Sequence, residues 1–368
     1  MKIELVNLYH LRMRLQAPFE TSFGRIETRD CILIEVFSEG LSGYGECVAD
    51  RDPGFSYETI KTAWHILSDY IIPATLHQFL DKPLDFQDRV QHIRGHNMAK
   101  AGFELALWDL WGKEEGLSLR EILGGDRERV EVGVSIGLQE SPQELVSIVE
   151  HYHKLGYGRV KIKIKPGRDV NELQAVRRAF PNKQLQVDAN SAYSPDSVQA
   201  LFPLDDLNLL LIEQPLSEDD LWDHHHLQKN FKTPLCLDES IRTPRHAQQA
   251  LDMEACRIIN IKPGRVGGIS QAVAIHNICQ ERGIPVWCGG MLETGVGRAA
   301  NLALASLANF SLPGDISATD RYYDVDITQQ RFTLNHDSTI TVPISPGLGV
   351  DLDQQAIKEY SLVCQAFS

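Results

Sequence analysis

Five charged residues recur at nearly constant spacing through the middle of the chain: Lys163, Asp188, Glu213, Asp238 and Lys262, at intervals of 25, 25, 25 and 24 residues. Each closes a short apolar run, in "VKIK", "LQVD", "LLLIE", "LCLD" and "IINIK". A lone acid in such a place is as readily a loop residue or a helix cap. Three at equal intervals on successive runs point to a cluster, and clustered buried carboxylates repel unless a cation sits among them. An all-oxygen set without His or Cys favours Mg²⁺, with Mn²⁺ as a substitute, over zinc. Lys163 and Lys262 flank the three acids. A lysine ordinarily titrates near 10.4, too high for a base at neutral pH. Burial, a divalent ion and the neighbouring Lys161 each push that value down. A lysine so placed can take the proton alpha to a carboxylate, and the ion and the opposite lysine stabilise the resulting enediolate.

The elements that must carry these residues are strands. In "VKIKIKPG", residues 160–167, Val, Ile and Ile alternate with Lys161, Lys163 and Lys165. Period two sets three lysines on one face. A solvated edge strand is the bland reading; the alternative turns Lys161 and Lys163 into a site and leaves Lys165, beside Pro166, in solvent. From residue 131 onward, apolar strands alternate with helical segments such as "VNELQAVRRAF", the mark of a parallel α/β sheet. A repeat near 25 residues, seven or eight times over, predicts a TIM-like (β/α)7–8 barrel with the charged residues at its C-terminal mouth. A doubly wound open sheet would not place a charge at the same point of five successive strands. Residues 1–130 read differently. "IELVNLYHLRMRL", "CILIEVFSEG" and "LSGYGECVA" are strand-like, and two helical stretches follow, the second, "AKAGFELALWDLWGKEEG", apolar on nearly every side and therefore buried. The expected organisation is an α+β capping domain over residues 1–130, the barrel over 131–320, and a C-terminal segment, 321–368, packing back on the cap.

Composition excludes several classes. The chain has 368 residues, 43% of them hydrophobic, and a formal net charge of −14. It is long enough for a large core, and neither its charge nor any basic tract suits nucleic acid or an anionic membrane. The first residues lack the apolar run of a signal peptide, and no stretch reaches the length of a membrane helix, so a cytoplasmic protein is expected. The seven cysteines are scattered and contain no C-x-x-C, which argues against a disulfide framework or a zinc site.

These motifs together resemble a known family. The K-x-K strand, Asp188 in "VDANSAY", Glu213 in "IEQP", Asp238 in "LDES" and Lys262 in "NIKPGRVGG" are similar to the enolase superfamily, muconate-lactonizing branch. "WCGGMLETGVGRAANLALASL", "LPGDISATDRYY" and "APFETSFG" with "GYGECVA" resemble, within it, the o-succinylbenzoate synthase / N-acylamino acid racemase family. The resemblance spans nearly the whole chain; Tyr44 stands where the family usually has Trp. It implies that Asp188, Glu213 and Asp238 bind Mg²⁺, that Lys163 is the base and Lys161 tunes it, and that Lys262 is the opposing cation or second base. It implies outer roles for Asn190 and Glu239, and substrate contacts for Phe19, Thr21 and Phe23 in a mobile segment, and for Ser135, Arg265, Gly290, Met291 and Leu292. The implied activity is dehydration of 2-succinyl-6-hydroxy-2,4-cyclohexadiene-1-carboxylate for menaquinone synthesis. The rival is racemisation of an N-succinylamino acid on the same lysine pair, and one protein could do both. A barrel that only senses a small acid is the rival outside catalysis. A homo-oligomer is implied by analogy with relatives.

Three weaker signals remain. "GVGRAA", residues 295–300, fits a phosphate-loop pattern, but so late in the repeat it suggests a substrate carboxylate or carbonyl at a helix N-terminus rather than a dinucleotide. "DHHHLQ" reads as a solvated helix, because adjacent histidines point apart. Glu46 and Glu293 lie beside glycines near the expected mouth, and both a substrate contact and a structural hydrogen bond are open to them.

Overall fold

A computed structural model describes residues 1–368. Strands β1 (Leu5–Thr21) and β2 (Gly24–Ser38) form a long antiparallel hairpin, and β3 (Leu41–Cys47) pairs with β2. Alternation along β2 serves two cores. Ile32, Ile34 and Val36 pack with the cap's helices, while Cys31 and Leu33 pack with the barrel. The sheet is thus a partition between domains, and its side-chain period decides which core each residue joins.

The helix Asn97–Glu115 lies on the cap side and is buried along most of its length. It approaches β3 closely because both surfaces carry glycine. A side-chain carbon on Gly45 would sit 2.0 Å from the Gly102 carbonyl oxygen, and one on Gly102 would sit 2.7 Å from the Cys47 nitrogen. "LSGYGEC" is therefore a strand shaped for contact with a helix backbone.

After the short β4 (Arg129–Glu131) come seven parallel strands: β5 (Gly133–Ile136), β6 (Arg159–Lys163), β7 (Gln184–Asp188), β8 (Ile212–Glu213), β9 (Leu235–Leu237), β10 (Ile258–Ile261) and β11 (Val286–Cys288). They neighbour one another in strict chain order. A doubly wound sheet would reverse order at a switch point. The two edges are joined by an irregular stave, residues 310–315. Phe310 bridges to Val286 on one side and Gly314 to Val132 on the other. The result is a barrel with seven regular staves. Helices cover its outside; Pro142–Lys154 and Pro244–Asp252 each begin with Pro in the first turn and are capped by Ser141 and Thr243. Between β7 and β8 the chain forms a 3₁₀ stretch, Val198–Asp206, around Pro203, which an α-helix interior would not tolerate.

The C-terminal segment does not return to the cap as one piece. Strand β12 (Thr339–Thr341) pairs with β4 beside the barrel, and only β13 (Ser361–Phe367) rejoins the cap sheet, antiparallel to β1. Between them, Gly347 and Leu348 bond to Leu119 and Asp109 of the cap. Six of the seven cysteines are buried. No helix is long and apolar enough to cross a membrane.

Candidate active site

Strands β7, β8 and β9 end side by side, so Asp188, Glu213 and Asp238 meet at the C-terminal mouth. Their carboxylate oxygens lie within 4.8 Å of one another, and all three residues are fully buried. The backbone turns sharply after two of them. Asn190 and Gln214 hold positive φ, 43° and 38°, a strained state for non-glycine residues that recurs at functional sites. Gln214 is fixed by accepting from the Asp238 and Ser240 backbone N–H groups at 2.9 and 3.2 Å, which ties the end of β8 to that of β9.

Lysines surround the acids. Lys163 Nζ donates to Asp188 Oδ2 and Asn190 Oδ1, both at 2.6 Å. Lys262 Nζ lies 2.8 Å from Asp238 Oδ2. Lys161 Nζ sits 3.0 Å from both Asp188 Oδ2 and Glu213 Oε2, and 2.6 Å from Asp315 Oδ2. These contacts divide the lysines. Burial, reinforced by the charges of Lys161 and Lys262, lowers Lys163 despite the attraction of Asp188. Burial acts on Lys161 too, but Asp315, Glu213 and Asp188 outweigh it and raise Lys161 well above the ordinary value. Burial likewise opposes ionisation of Asp188, and Lys163 with Lys161 overcomes it and lowers that acid. Glu213 is raised, by burial first and then by Asp188.

The donor set suits a hard divalent cation: three buried carboxylates with oxygens within 4.8 Å of one another, and no nitrogen or sulfur. Asn190 links Asp188 to Glu239. Asn190 Nδ2 donates to Glu239 Oε1 at 2.9 Å, and the Asn190 backbone N–H to Asp188 Oδ1 at 3.0 Å. Asn260 Nδ2 donates to Glu213 Oε1 at 2.7 Å. This contact was missed from the sequence, although period two along "INIK" puts Asn260 on the face of Lys262.

One cavity opens onto the lysines, lined by Lys161, Lys163, Asn190 and Lys262 below. Of the eight residues expected to touch substrate, seven line it: Phe19, Thr21, Phe23, Ser135, Gly290, Met291 and Leu292. Arg265 is the exception and does not line it. Its guanidinium is buried behind the acids, donating to the Ile241 and Asn260 carbonyls at 2.8 and 2.6 Å and contacting Asp238; Arg265 follows the strand's end within the short helix Pro263–Val266, and the chain has turned away from the mouth. Phe19 and Thr21 lie on β1 and Phe23 in the two-residue turn to β2, so the expected mobile segment is the tip of a paired hairpin. Neither Phe55, whose ring lies over Lys262 Nζ at 4.5 Å, nor Asp315, which lies within "LPGDISATDRYY", was singled out from the sequence.

The Gly-rich "GVGRAA" opens the helix Gly295–Ala305, but no substrate group is needed there. Glu46 Oε2 accepts from Thr294 N, Thr294 Oγ1 and Gly297 N at 3.1, 2.7 and 3.0 Å. Glu293 accepts from Met291 N at 2.8 Å and Asn301 Nδ2 at 2.9 Å. In "DHHHLQ" His224 is buried and accepts from the Leu216 N–H, while its neighbours point elsewhere.

Comparison with known proteins agrees with this geometry. The model of the mandelate racemase / muconate lactonizing enzyme N-terminal domain matches residues 3–124, and the enolase C-terminal domain-like model matches 144–356. The chain is 49% identical to an o-succinylbenzoate synthase of Geobacillus kaustophilus, over 99% of this chain and 97% of that protein. It is 43% identical to an N-succinylamino acid racemase of Thermus thermophilus, over 98% of each. A crystal structure of an enolase superfamily member from Listeria innocua superposes with a TM-score of 0.96 at 42% identity, covering 100% of this chain and 99% of that one. A cap sheet, a barrel, three carboxylates on consecutive strands and a lysine to either side, together with these matches, make the chain a member of the mandelate racemase / muconate lactonizing enzyme family of the enolase superfamily.

Proposed function

We propose that the protein is an o-succinylbenzoate synthase, dehydrating 2-succinyl-6-hydroxy-2,4-cyclohexadiene-1-carboxylate to the aromatic product used in menaquinone synthesis. The observation that carries this reading is the placement of Lys163 and Lys262 against opposite members of one carboxylate cluster, both opening on one cavity. Asp188, Glu213 and Asp238 would hold Mg²⁺, or Mn²⁺ in its place. When bound there, the ion would supply positive charge to the substrate carboxylate, which would acidify its alpha C–H bond. Lys163, lowered by burial, takes the alpha proton on Nζ. The C–H electrons move into the carboxylate as an enediolate, whose charge the Lys262 ammonium faces from the other side. The C–O bond then breaks, and Lys163 returns its proton to the departing hydroxyl, on the face from which the proton came. Asn190 orients Lys163 through its 2.6 Å bond.

The lysine pair supports a second reading, racemisation of N-succinylamino acids, with Lys163 and Lys262 exchanging roles as base and acid on the two faces. Relatives with both names support both activities in one cavity. The same reading puts the enzyme in the cytoplasm as a homo-oligomer acting on a small carboxylate. The test is exchange of the substrate alpha proton with deuterated solvent, followed by NMR with each substrate. Wild type exchanges it, whereas Lys163→Ala, folded as wild type is, loses exchange with the cyclohexadiene substrate and with the N-succinylamino acid enantiomer whose alpha proton faces Lys163; the other enantiomer keeps its exchange through Lys262. Absence of exchange with any N-succinylamino acid, together with no turnover of the cyclohexadiene substrate, rejects the enzymatic reading and leaves the small-acid sensor.

A further inference from the structure

Beside the β1–β2 hairpin, two further pieces of chain, one from each domain, wall the upper cavity. The cap supplies residues 48–58, through Val48, Asp50, Phe55 and Glu58, and the barrel supplies Gly290, Met291 and Leu292. Glu46 stands just before the first piece, at the end of β3. Its carboxylate is buried across the domain boundary, where it takes the Thr294 N–H, the Thr294 hydroxyl and the Gly297 N–H. Those donors close the second piece.

The barrel piece needs holding. Leu292 has φ 58°, unfavourable for a branched side chain. It is kept there by Tyr323, whose hydroxyl donates to the Leu292 carbonyl at 2.5 Å, and by Glu293, which accepts from Met291 N at 2.8 Å. Arg298 Nη2 donates to the Glu293 carbonyl at 3.2 Å. Glu46 and Glu293 press on the same glycine. A side-chain carbon on Gly297 would lie 2.8 Å from Glu46 Oε2 and 2.7 Å from Glu293 Cγ. The acid from the cap and the acid that sets the strained turn thus share one support.

We propose that Glu46 is a positioning residue for substrate binding, fixing the cap wall and the strained Met291 and Leu292 turn of the barrel to one another. It touches no reacting atom. Its effect falls on the shape of the cavity and therefore on KM. The inference rests on the cavity being the substrate site, and wild-type turnover tests that reading by itself.

The experiment compares Glu46→Ala, Glu46→Gln and wild type by steady-state kinetics and by hydrogen–deuterium exchange mass spectrometry. In Glu46→Ala, KM rises about tenfold or more with a smaller change in kcat, and exchange quickens in residues 48–58 and 289–300 together. Glu46→Gln keeps an amide oxygen for the three donors and restores both readouts toward wild type. Thr294→Val removes the hydroxyl donor to Glu46, together with the cap that the same oxygen gives the Val296 N–H at 3.3 Å, and shifts both in the same direction as Glu46→Ala, which keeps the test open if the alanine variant does not fold. The proposal is overturned if KM stays within twofold of wild type, if only one segment loosens, or if exchange rises evenly over the molecule. The exchange readout does not depend on turnover, so it separates failure of this proposal from failure of the assigned reaction.

Discussion

Lys161 and Lys163 stand two residues apart on one strand, yet their surroundings drive them in opposite directions, and Asp315 makes the difference. Its two oxygens are shared, Oδ1 with Arg159 and Oδ2 with Lys161, each at 2.6 Å. Burial opposes its charge, but Lys161 and Arg159 hold it down to about 2. Asp315→Asn leaves two buried cations short of a partner, and the expected loss is about 3 kcal/mol or more in unfolding free energy, measured by urea titration. Lys165→Ala is the contrast. Lys165 makes no side-chain hydrogen bond and is only half-buried, so its change stays within about 0.5 kcal/mol and leaves turnover intact. Equal losses in the two variants would remove Asp315 from this role. The sequence disclosed these residues unevenly. The acids and the lysine pair were legible because a strand-end charge repeated every 25 residues puts like groups at one mouth of a barrel, and scattered loop residues would keep no such interval. Asp315 had no such mark. It sits in "LPGDIS", on the irregular stave, and Arg159 and Lys161 reach it from more than 150 positions away.

Among the elements, regular ones could be read and irregular ones could not. Alternation revealed β6, and the repeat revealed the barrel. "LLLIEQP" reads as a longer strand than the two residues, Ile212 and Glu213, that form it; the Gln214 turn ends it early, and a run of leucines has no period to disclose that. The hairpin of β1 and β2 extends through "PFETSFG" by cross-strand pairing, which no local pattern announces. The packing of β3 against the helix Asn97–Glu115 was likewise invisible, since a glycine in a strand usually signals a turn or a bulge. Gly45→Ala tests it. The added carbon would meet the Gly102 carbonyl oxygen at 2.0 Å and the Ala106 nitrogen at 2.6 Å, both backbone atoms that cannot swing away. The expected cost is about 1–3 kcal/mol, read as a lowered thermal midpoint. A midpoint equal to wild type would mean that helix and sheet are not in backbone contact there.

At the scale of the whole molecule, the joint between cap and barrel should respond to pH. Glu46 is pushed up to about 7, by burial first and then by Glu293, against the bonds from Thr294 and the charge of Arg29. The other ionisable groups around it are Cys31, Cys47 and Tyr323. The ordinary glutamate value is 4.5. Between 4.5 and about 7 the folded protein keeps a proton that the unfolded chain has lost, so the native state binds more protons and its stability falls as pH rises. The contribution is complete below 4.5 and gone above about 7. Total stability will not report this alone. Burial lowers His96, His224, His246 and His276, which pull the curve the other way over an overlapping range. A difference removes them. Glu46→Gln cannot titrate but keeps an acceptor for the Thr294 and Gly297 donors. Relative to wild type, its unfolding free energy should climb by about 1–3 kcal/mol from pH 4.5 to pH 8, with the steepest change near the middle. Glu58, also raised to about 7 by burial, lies on the same cavity but remains in both proteins and cancels. Parallel curves would show that Glu46 is ionised throughout, and that a charged carboxylate, rather than a shared proton, joins the two domains.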